Sequence, residues 1–386
     1  MNGVRFRPVR KAEVALAAQQ FLDAFGVSPT EHDAVEARFR DVLDAGELWG
    51  VDAGGSLLGH CRLPTVEHYF GGRPVRSMDV AGVAVDAKHR RQGLATALME
   101  AAAGWGAHQG VPLSLLFPAV PSLYRRLGWE MAGTFPRYIL GTPPSVPRAE
   151  SMRQATDDDW AAIASCYDTY ASRLNGPGRR TARRWEQLRE GSAQYVLDGG
   201  DGIEAYVLLY GSAEPSEAAG GPESVDWAAT TGRGMRAVVA QLASIDPKSL
   251  LHGPAPDSWS TWLDTWAVPE GGGLFWMARP LVLPAAIAAR GFPTGVSGAV
   301  TFAVDDRLLA EARGPWRLEV AGGRGIVEPS SHADVLMDVR AVGPMFTGLR
   351  TPRELALAGL LDGPPDALAQ LAAMFAATLP VALDFF

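Results

Sequence analysis

Residues 83–98, VAVDAKHRRQGLATAL, join an apolar strand to an amphipathic helix through a short basic turn that contains one glycine, Gly93. Backbone N–H groups at the start of a helix have no intrahelical partner, and they carry partial positive charge. A glycine lets a ligand approach the backbone closely, and the basic side chains add formal positive charge. The segment therefore predicts a site for an anion such as a pyrophosphate.

Composition excludes several other classes of protein. The 386 residues include 35 Lys plus Arg and 43 Asp plus Glu, a net charge of −8, which argues against binding to duplex nucleic acid or an anionic membrane. The only cysteines, Cys61 and Cys166, cannot form a disulfide framework or a cysteine-rich zinc site. Seven scattered histidines argue against a catalytic metal, so no metal is expected.

Targeting signals are not recognisable in the chain. The first twenty residues have no apolar signal-peptide core, and no apolar run approaches the roughly 18 residues of a transmembrane helix. Scarce cysteine is typical of a reducing compartment. Together these features predict a cytoplasmic protein.

The order of predicted elements divides the chain into three segments with an α+β fold. Residues 1–141 alternate strands and helices up to a Pro-rich stretch at 142–147, which predicts a boundary. Residues 151–283 repeat that order more loosely. Residues 284–386 form a third domain, in which a helix is predicted over residues 331–342.

A second motif, YRRLGW at residues 124–129, follows the predicted helix and a buried strand. RRQGLA at residues 90–95 resembles the R/Q-x-x-G-x-G/A signature of the GCN5-related N-acetyltransferases, and YRRLGW resembles their Tyr-x-x-x-Gly-aromatic segment. The resemblance implies an acetyl-CoA site with the pyrophosphate at the turn. It also implies that Tyr124 lies beside the CoA sulfur.

Roles for individual residues follow from this resemblance and from the chemistry of acetyl transfer. Backbone N–H groups at the end of the strand are expected to stabilise the oxyanion, and Tyr124 is expected to protonate the departing thiolate. The expected cofactor-binding residues are Val83, Ala84, Val85, Arg90, Arg91, Gln92, Gly93, Leu94, Ala95 and Thr96.

The whole chain resembles one subfamily, the Eis-type acetyltransferases. The resemblance lies in its length, in the 83–98 segment, in LPAAIAARG at residues 283–291 and in the aromatic last residue. It implies tandem acetyltransferase domains, the second with a degraded CoA site, followed by a sterol-carrier-protein-like domain. It also implies that the carboxylate of Phe386 is the general base and that the protein is a homohexamer.

Some positions depart from the subfamily pattern. Ala119 stands where a serine that touches the cofactor is common, and Phe385, preceded by Asp384, stands where an aminoglycoside-modifying member has an acidic residue. GRGMRA at residues 232–237 fits a dinucleotide-binding pattern, but no strand with an acidic end follows it. Arg236 stands where a CoA turn would need glycine, so residues 151–283 are not expected to bind acetyl-CoA.

The expected function is acetyl-CoA-dependent acetylation of a primary amine on a cationic acceptor: an aminoglycoside, a polyamine-like metabolite or a peptide lysine. Two alternatives stay open. One is a narrow N-acetyltransferase for a single metabolite. The other is a non-catalytic carrier of a hydrophobic ligand with an inactive acetyltransferase domain. A carrier needs an open apolar groove in the C-terminal domain, which the final helix would fill if it packs there.

Overall fold

The computed structural model describes residues 4–135, 137–139, 149–190, 192–210, 225–244, 250–252, 268–269 and 274–385. The helices and strands of the first part of the chain are β1 (Arg5–Pro8), α1 (Val14–Phe25), α2 (His32–Asp44), β2 (Leu48–Ala53), β3 (Ser56–Arg62), β4 (Thr65–Phe70), β5 (Arg73–Val85), α3 (Leu94–His108), β6 (Leu113–Leu116), α4 (Pro121–Arg125), β7 (Glu130–Phe135) and β8 (Arg137–Ile139).

The middle part of the chain contains β9 (Arg153–Gln154), α5 (Trp160–Ala171), α6 (Ala182–Arg189), β10 (Ser192–Gly199), β11 (Gly202–Tyr210), β12 (Val225–Ala229), α7 (Gly232–Ala243), β13 (Leu250–His252), β14 (Val268–Pro269) and β15 (Leu274–Pro280). The last part contains α8 (Leu283–Ala289), β16 (Gly298–Asp305), β17 (Trp316–Ala321), β18 (Arg324–Pro329), β19 (Val335–Asp338), α9 (Val339–Thr347), α10 (Pro352–Leu357), β20 (Leu361–Asp362) and α11 (Pro365–Met374).

Three sheets organise these elements. The first has the order β1-β2-β3-β5-β6-β15-β7, with β4 also paired to β5. The second has the order β14-β8-β13-β12-β11-β10-β9, and the third has the order β18-β17-β16-β19-β20. Helices pack on each sheet, as the predicted α+β class requires. Among the described residues, no helix is both long and apolar enough to span a bilayer.

Two strands pair in a different sheet from the other strands of their predicted segment. Strand β15, from the segment 151–283, lies between β6 and β7 in the first sheet, with Met277 opposite Leu116 and Leu274 opposite Phe135. Strand β8, from the segment 1–141, pairs in the second sheet. Alternating apolar residues predict a strand but not its partner, because both sheets offer the same backbone hydrogen bonds.

The predicted helix over residues 331–342 is wrong over residues 331–338. Residues Val335–Asp338 form strand β19, which pairs in parallel with β16, and helix α9 begins only at Val339. Asp338 caps that helix by accepting a hydrogen bond from the Arg340 amide. Pairing with a buried neighbouring strand overrides the local helical pattern of this short segment.

Apolar side chains fill the interior of the third sheet and its helices. The space enclosed there is about 10 Å³ and is lined by apolar residues that include Leu371 and Phe375 at the final helix. Small-molecule sites usually offer roughly 300 Å³ or more. This interior therefore has no room for the hydrophobic ligand that the carrier alternative requires.

A close contact joins the β4–β5 turn to the residues after α8. Gly71 has φ +60°, and a Cβ there would lie 2.1 Å from the carbonyl oxygen of Gly291. The Gly291 amide also donates to the Phe70 carbonyl, 3.1 Å away. Only glycine fits at Gly71, so this contact links the first sheet to the C-terminal part.

Replacing Gly71 by alanine should separate the effect of this contact from backbone strain. Gly54 has the same φ of +60° but no heavy atom within 4 Å of a built Cβ, so it is a matched control. We expect Gly71→Ala to lower the free energy of unfolding by roughly 3 kcal/mol or more. Gly54→Ala should cost roughly 1 kcal/mol. Chemical denaturation of both variants checks this, and equal losses would contradict the steric account.

A buried histidine lies at the same junction of chain segments. His68 Nδ1 lies 2.8 Å from the carbonyl oxygen of Gly176, and Nε2 lies 2.9 Å from Asp79 Oδ2. Both partners accept hydrogen bonds, so both ring nitrogens must donate and the ring is an imidazolium. Burial disfavours the charged ring, but the Asp79 carboxylate outweighs that effect and the pKa of His68 is raised.

The raised pKa of His68 predicts the direction of a pH effect on stability. Its contribution is fully present below the ordinary histidine pKa, near 6.5, and is lost as the pH rises through the raised value. We expect the denaturation midpoint of the wild type to fall across that window. The midpoint of His68→Gln should fall less, whereas the exposed control His108→Gln should behave as wild type. Identical pH profiles for all three proteins would contradict the imidazolium assignment.

Candidate active site

Strands β5 and β6 separate after Val80 and Leu116, and we call the gap between them the fork. Their parallel pairing runs from Ser77 opposite Leu113 to Val80 opposite Leu116 and ends there, while β5 continues to Val85. On its other edge β5 stays paired with β3, with a register shift and Gly82 at φ +59°. Along residues 81–85, β5 therefore has no strand on the β6 side among the described residues. Backbone N–H groups on that side can bind an acyl oxygen.

The basic turn after β5 has the geometry of an anion cradle. The Asp86 carboxylate accepts hydrogen bonds from the Lys88 amide at 2.8 Å and from His89 Nδ1 at 3.1 Å, which closes the turn. Arg91 has φ +61° and Gly93 has φ +79°, immediately before α3. A left-handed arginine costs about 1 kcal/mol or more, and such strain is common where the backbone is shaped around a ligand. These residues fit a pyrophosphate.

A cleft of about 670 Å³ lies along this turn, between the start of α3 and helix α4. Seven of the predicted cofactor-binding residues line it: Val85, Arg90, Arg91, Gly93, Leu94, Ala95 and Thr96. Val83, Ala84 and Gln92 are not in its lining, since Val83 and Ala84 lie further along the fork. Five other residues line the cleft and were not predicted from the sequence: His89, Glu100, Leu123, Arg126 and Leu127.

The arginines of the cleft differ in their partners. Arg90 donates from Nη2 to the Asp23 carbonyl at 3.0 Å and from Nε to the Val85 carbonyl at 3.3 Å, so it ties α1 to the turn. In the part of the chain that the structure describes, Arg91 and Arg126 have no carboxylate partner within ion-pair distance. Arg91 and Arg126 can therefore bind phosphate. Arg126 could have been found from the sequence, because it lies within the YRRLGW motif.

Tyr124 lies on α4 beside this cleft and not in its lining. Its side chain is only 5% exposed and belongs to the apolar core of the first sheet. Burial raises its pKa to about 12, with a further contribution from Cys61. The hydroxyl therefore stays protonated at neutral pH and is a donor.

Contacts from two other parts of the chain hold the end of α4. Arg279 of β15 donates to the Leu127 carbonyl at 2.6 Å and forms a buried ion pair with Asp306, at 2.7 and 2.9 Å. A Cβ on Gly128, at φ +92°, would lie 1.7 Å from Arg279 Nη1. The glycine of the YRRLGW motif is thus required by Arg279, whose guanidinium passes against it.

The end of the chain runs alongside β7, the edge strand of the first sheet. Its backbone bonds to both neighbours, from the Val381 amide to the Asn175 carbonyl and from the Ala382 amide to the Thr134 carbonyl, each 2.8 Å. Phe385 then stacks on Phe117, the residue after β6, with centroids 4.4 Å apart. Phe386, the predicted general base, lies outside the described residues.

The turn before α7, which corresponds to the turn before α3, is occupied by a carboxylate of the protein, that of Glu204. Thr231 caps α7 by accepting from the Gly234 amide at 3.0 Å, and its hydroxyl donates to the Glu204 carboxylate. Arg233 Nε donates to the same carboxylate at 2.9 Å. A side-chain carboxylate thus lies at the start of α7, where the turn before α3 is open to a phosphate.

Comparisons with known proteins agree with this geometry. Residues 5–132 match the family model of the acetyltransferase (GNAT) domain, and residues 283–382 match that of the sterol carrier protein domain. An uncharacterized N-acetyltransferase of Streptomyces coelicolor is 28% identical over 315 residues, which cover 72% of this chain and 73% of that protein.

Two solved structures share the fold over nearly the whole chain. A GCN5-related N-acetyltransferase from Anabaena variabilis has a TM-score of 0.88 at 20% identity, covering 99% of this chain and all of that one. Eis1 from Mycobacterium abscessus has a TM-score of 0.77 at 23% identity, again covering 99% and 100%. The GNAT family model and the relatives named N-acetyltransferases show that the chain is an acyltransferase. It carries a GNAT-type N-acetyltransferase domain followed by a sterol carrier protein domain.

Alanine at Gly93 should weaken cofactor binding. The left-handed φ of +79° strains an alanine, and the turn must move to relieve it. We expect the dissociation constant of CoA, measured by calorimetry, to rise about tenfold, equivalent to ~1.4 kcal/mol. Gly104→Ala, in the interior of α3 with no heavy atom within 4 Å of a built Cβ, should leave it unchanged. Equal affinities in the two variants would contradict the assigned phosphate site.

Proposed function

We propose that this protein is an Eis-type N-acetyltransferase that transfers acetyl from acetyl-CoA to a primary amine held between the fork and the end of the chain. The observation that carries the proposal is the stack of Phe385 on Phe117, because it brings the end of the chain to the β6 side of the fork. The likeness to Eis1 of Mycobacterium abscessus in fold and length supports the same reading.

Acetyl-CoA binding is assigned to the cleft beside α3. The turn at Arg91–Gly93 and the guanidinium of Arg126 would bind the pyrophosphate. A second groove, of about 570 Å³, shares Glu100, Arg126 and Leu127 with the cleft and gives further room for the nucleotide. The thioester would then lie along β5, where N–H groups of Val83, Ala84 and Val85 can stabilise the oxyanion.

Tyr124 is the proposed acid for the leaving group. Its raised pKa keeps the hydroxyl protonated, so it can donate a hydrogen bond to the sulfur as negative charge develops there. A free thiol has a pKa near 8.5, so its thiolate is a moderately stable leaving group. It needs a hydrogen bond to the sulfur more than complete proton transfer from a strong acid. Tyr124 therefore acts mainly by stabilising the departing thiolate.

The proposed base is the carboxylate of Phe386. An amine like that of lysine has a pKa near 10.4, so the acceptor enters as an ammonium and must lose a proton. An α-carboxylate titrates near 3.5 in water, so it must be desolvated or act through a water molecule. Asp384 is not a substitute, because Arg180 and Arg184 already bind its carboxylate.

We propose two classes of acceptor. A cationic acceptor, such as an aminoglycoside, a polyamine or a peptide lysine, remains the first proposal. A narrow metabolite enzyme is the second, and it is favoured by the ion-paired Asp384 and by Phe385, which is 63% exposed beside Phe117. The second segment is proposed not to bind acetyl-CoA, since Glu204 lies at its helix start. Cytoplasmic location and the hexamer stay predictions.

Thiol release from acetyl-CoA tests this proposal with kanamycin, spermidine, Nα-acetyl-lysine amide and phenethylamine as acceptors. We expect Tyr124→Phe to lower kcat about 100-fold with unchanged CoA affinity, because only the leaving group loses its donor. Tyr195→Phe, a half-buried tyrosine on β10, is the control. No thiol release from the wild type with any amine would contradict the enzyme assignment.

Deleting Phe386 tests the base separately. We expect a loss of about 100-fold at neutral pH that shrinks as the pH approaches ~10, because the amine is then deprotonated without help. Extending the chain by a few residues should have the same effect. Unchanged turnover at neutral pH in both proteins would remove Phe386 from the mechanism.

A further inference from the structure

A buried ion-pair network meets the chain just before its end. Arg180, whose side chain is 1% exposed, donates from Nε to Asp384 at 2.8 Å and from Nη1 and Nη2 to Asp226 at 2.8 and 2.7 Å. Arg184 donates to the other oxygen of Asp384 at 2.8 and 3.0 Å. Two guanidiniums thus balance two carboxylates. We call the contacts of Arg180 and Arg184 with Asp384 the tail clamp.

The second segment is built closely around Arg180. Its guanidinium lies 3.9 Å from the ring centroid of Tyr167 and 4.9 Å from that of Trp185. The Tyr206 hydroxyl donates to Asp226 at 2.9 Å, which fixes that carboxylate as well. Aromatic walls and two carboxylates leave the guanidinium one orientation. Whatever Arg180 binds is therefore held in one place.

Earlier residues of the tail do not need this clamp. Val381 and Ala382 already bond through their backbone to Asn175 and Thr134. Asp384 is the last side chain before the two terminal phenylalanines, and its neighbour Phe385 stacks on Phe117 beside the fork. Removing the clamp would thus free only the residues that face the proposed reaction site.

We infer that Arg180 is a positioning residue for acetyl transfer, which acts through Asp384 to hold Phe385 against Phe117. The inference rests on the proposed function, since it needs the amine to enter beside the end of the chain. The segment 151–283 would then contribute to the reaction, because it supplies both arginines of the tail clamp.

Two carboxylates of the network form a matched pair for the test. Asp384 and Asp226 both bind Arg180 and both have side chains 15% exposed, but only Asp384 lies in the tail. We expect Asp384→Asn and Asp226→Asn to lower the melting temperature similarly. With the amines of the panel above, Asp384→Asn should lower kcat/KM for the acceptor at least tenfold. Its KM for acetyl-CoA should stay within twofold of wild type. Asp226→Asn loosens one side of Arg180 but leaves both arginines on Asp384, so it should lower kcat/KM for the acceptor less than Asp384→Asn does, by about threefold at most.

A surface pair keeps the test decisive where a buried variant fails to fold. Arg184 is 41% exposed and binds Asp384, whereas its neighbour Arg183 is 60% exposed and binds Asp41. Arg184→Gln should lower kcat/KM for the acceptor severalfold, and Arg183→Gln should not. Equal kcat/KM within either pair, in folded proteins, would overturn the inference. That result would leave the proposed function intact if Tyr124→Phe and the Phe386 deletion still lose turnover.

Discussion

Strand β15 lies between β6 and β7, and this insertion places β7 in the first sheet and brings Arg279 to the end of α4. Backbone hydrogen bonds on both edges fix it, from Pro280 opposite Leu113 to Leu274 opposite Phe135. Without β15, two buried strands would have open edges, which cost free energy because their N–H and C=O groups lose their partners. The first sheet is therefore complete only when β15, which follows the strands of the second sheet along the chain, pairs with β6 and β7.

The insertion also carries Arg279 to the end of α4. Its ion pair with Asp306 and its bond to the Leu127 carbonyl join three distant parts of the chain at the helix that bears Tyr124. A buried guanidinium is costly unless acceptors satisfy it. Asp306 and the Leu127 carbonyl accept from Nη2 and Nη1 of Arg279, whereas its Nε has no hydrogen-bond partner among the described residues. The cleft beside α3 thus depends on contacts far from it in sequence.

The features that could be predicted from the sequence are those that neighbouring residues in the chain determine. An amphipathic helix directly after the basic turn is predicted from the sequence, and α3 begins there at Leu94, immediately after Gly93. The pairing of strands could not be predicted: β15 and β8 lie in the sheet of the other segment, and β19 takes up four residues of a predicted helix. The tail clamp was also missed, because Arg180 and Asp384 are 204 residues apart and nothing local links them.

The most direct test of this account is a crystal structure of the protein with bound CoA and a product amide. We predict the pyrophosphate at the turn of Arg91 and Gly93, the sulfur within hydrogen-bond distance of Tyr124, and the Phe386 carboxylate within one water molecule of the amide nitrogen. CoA bound elsewhere, or the last residues of the chain directed away from the sulfur, would contradict it.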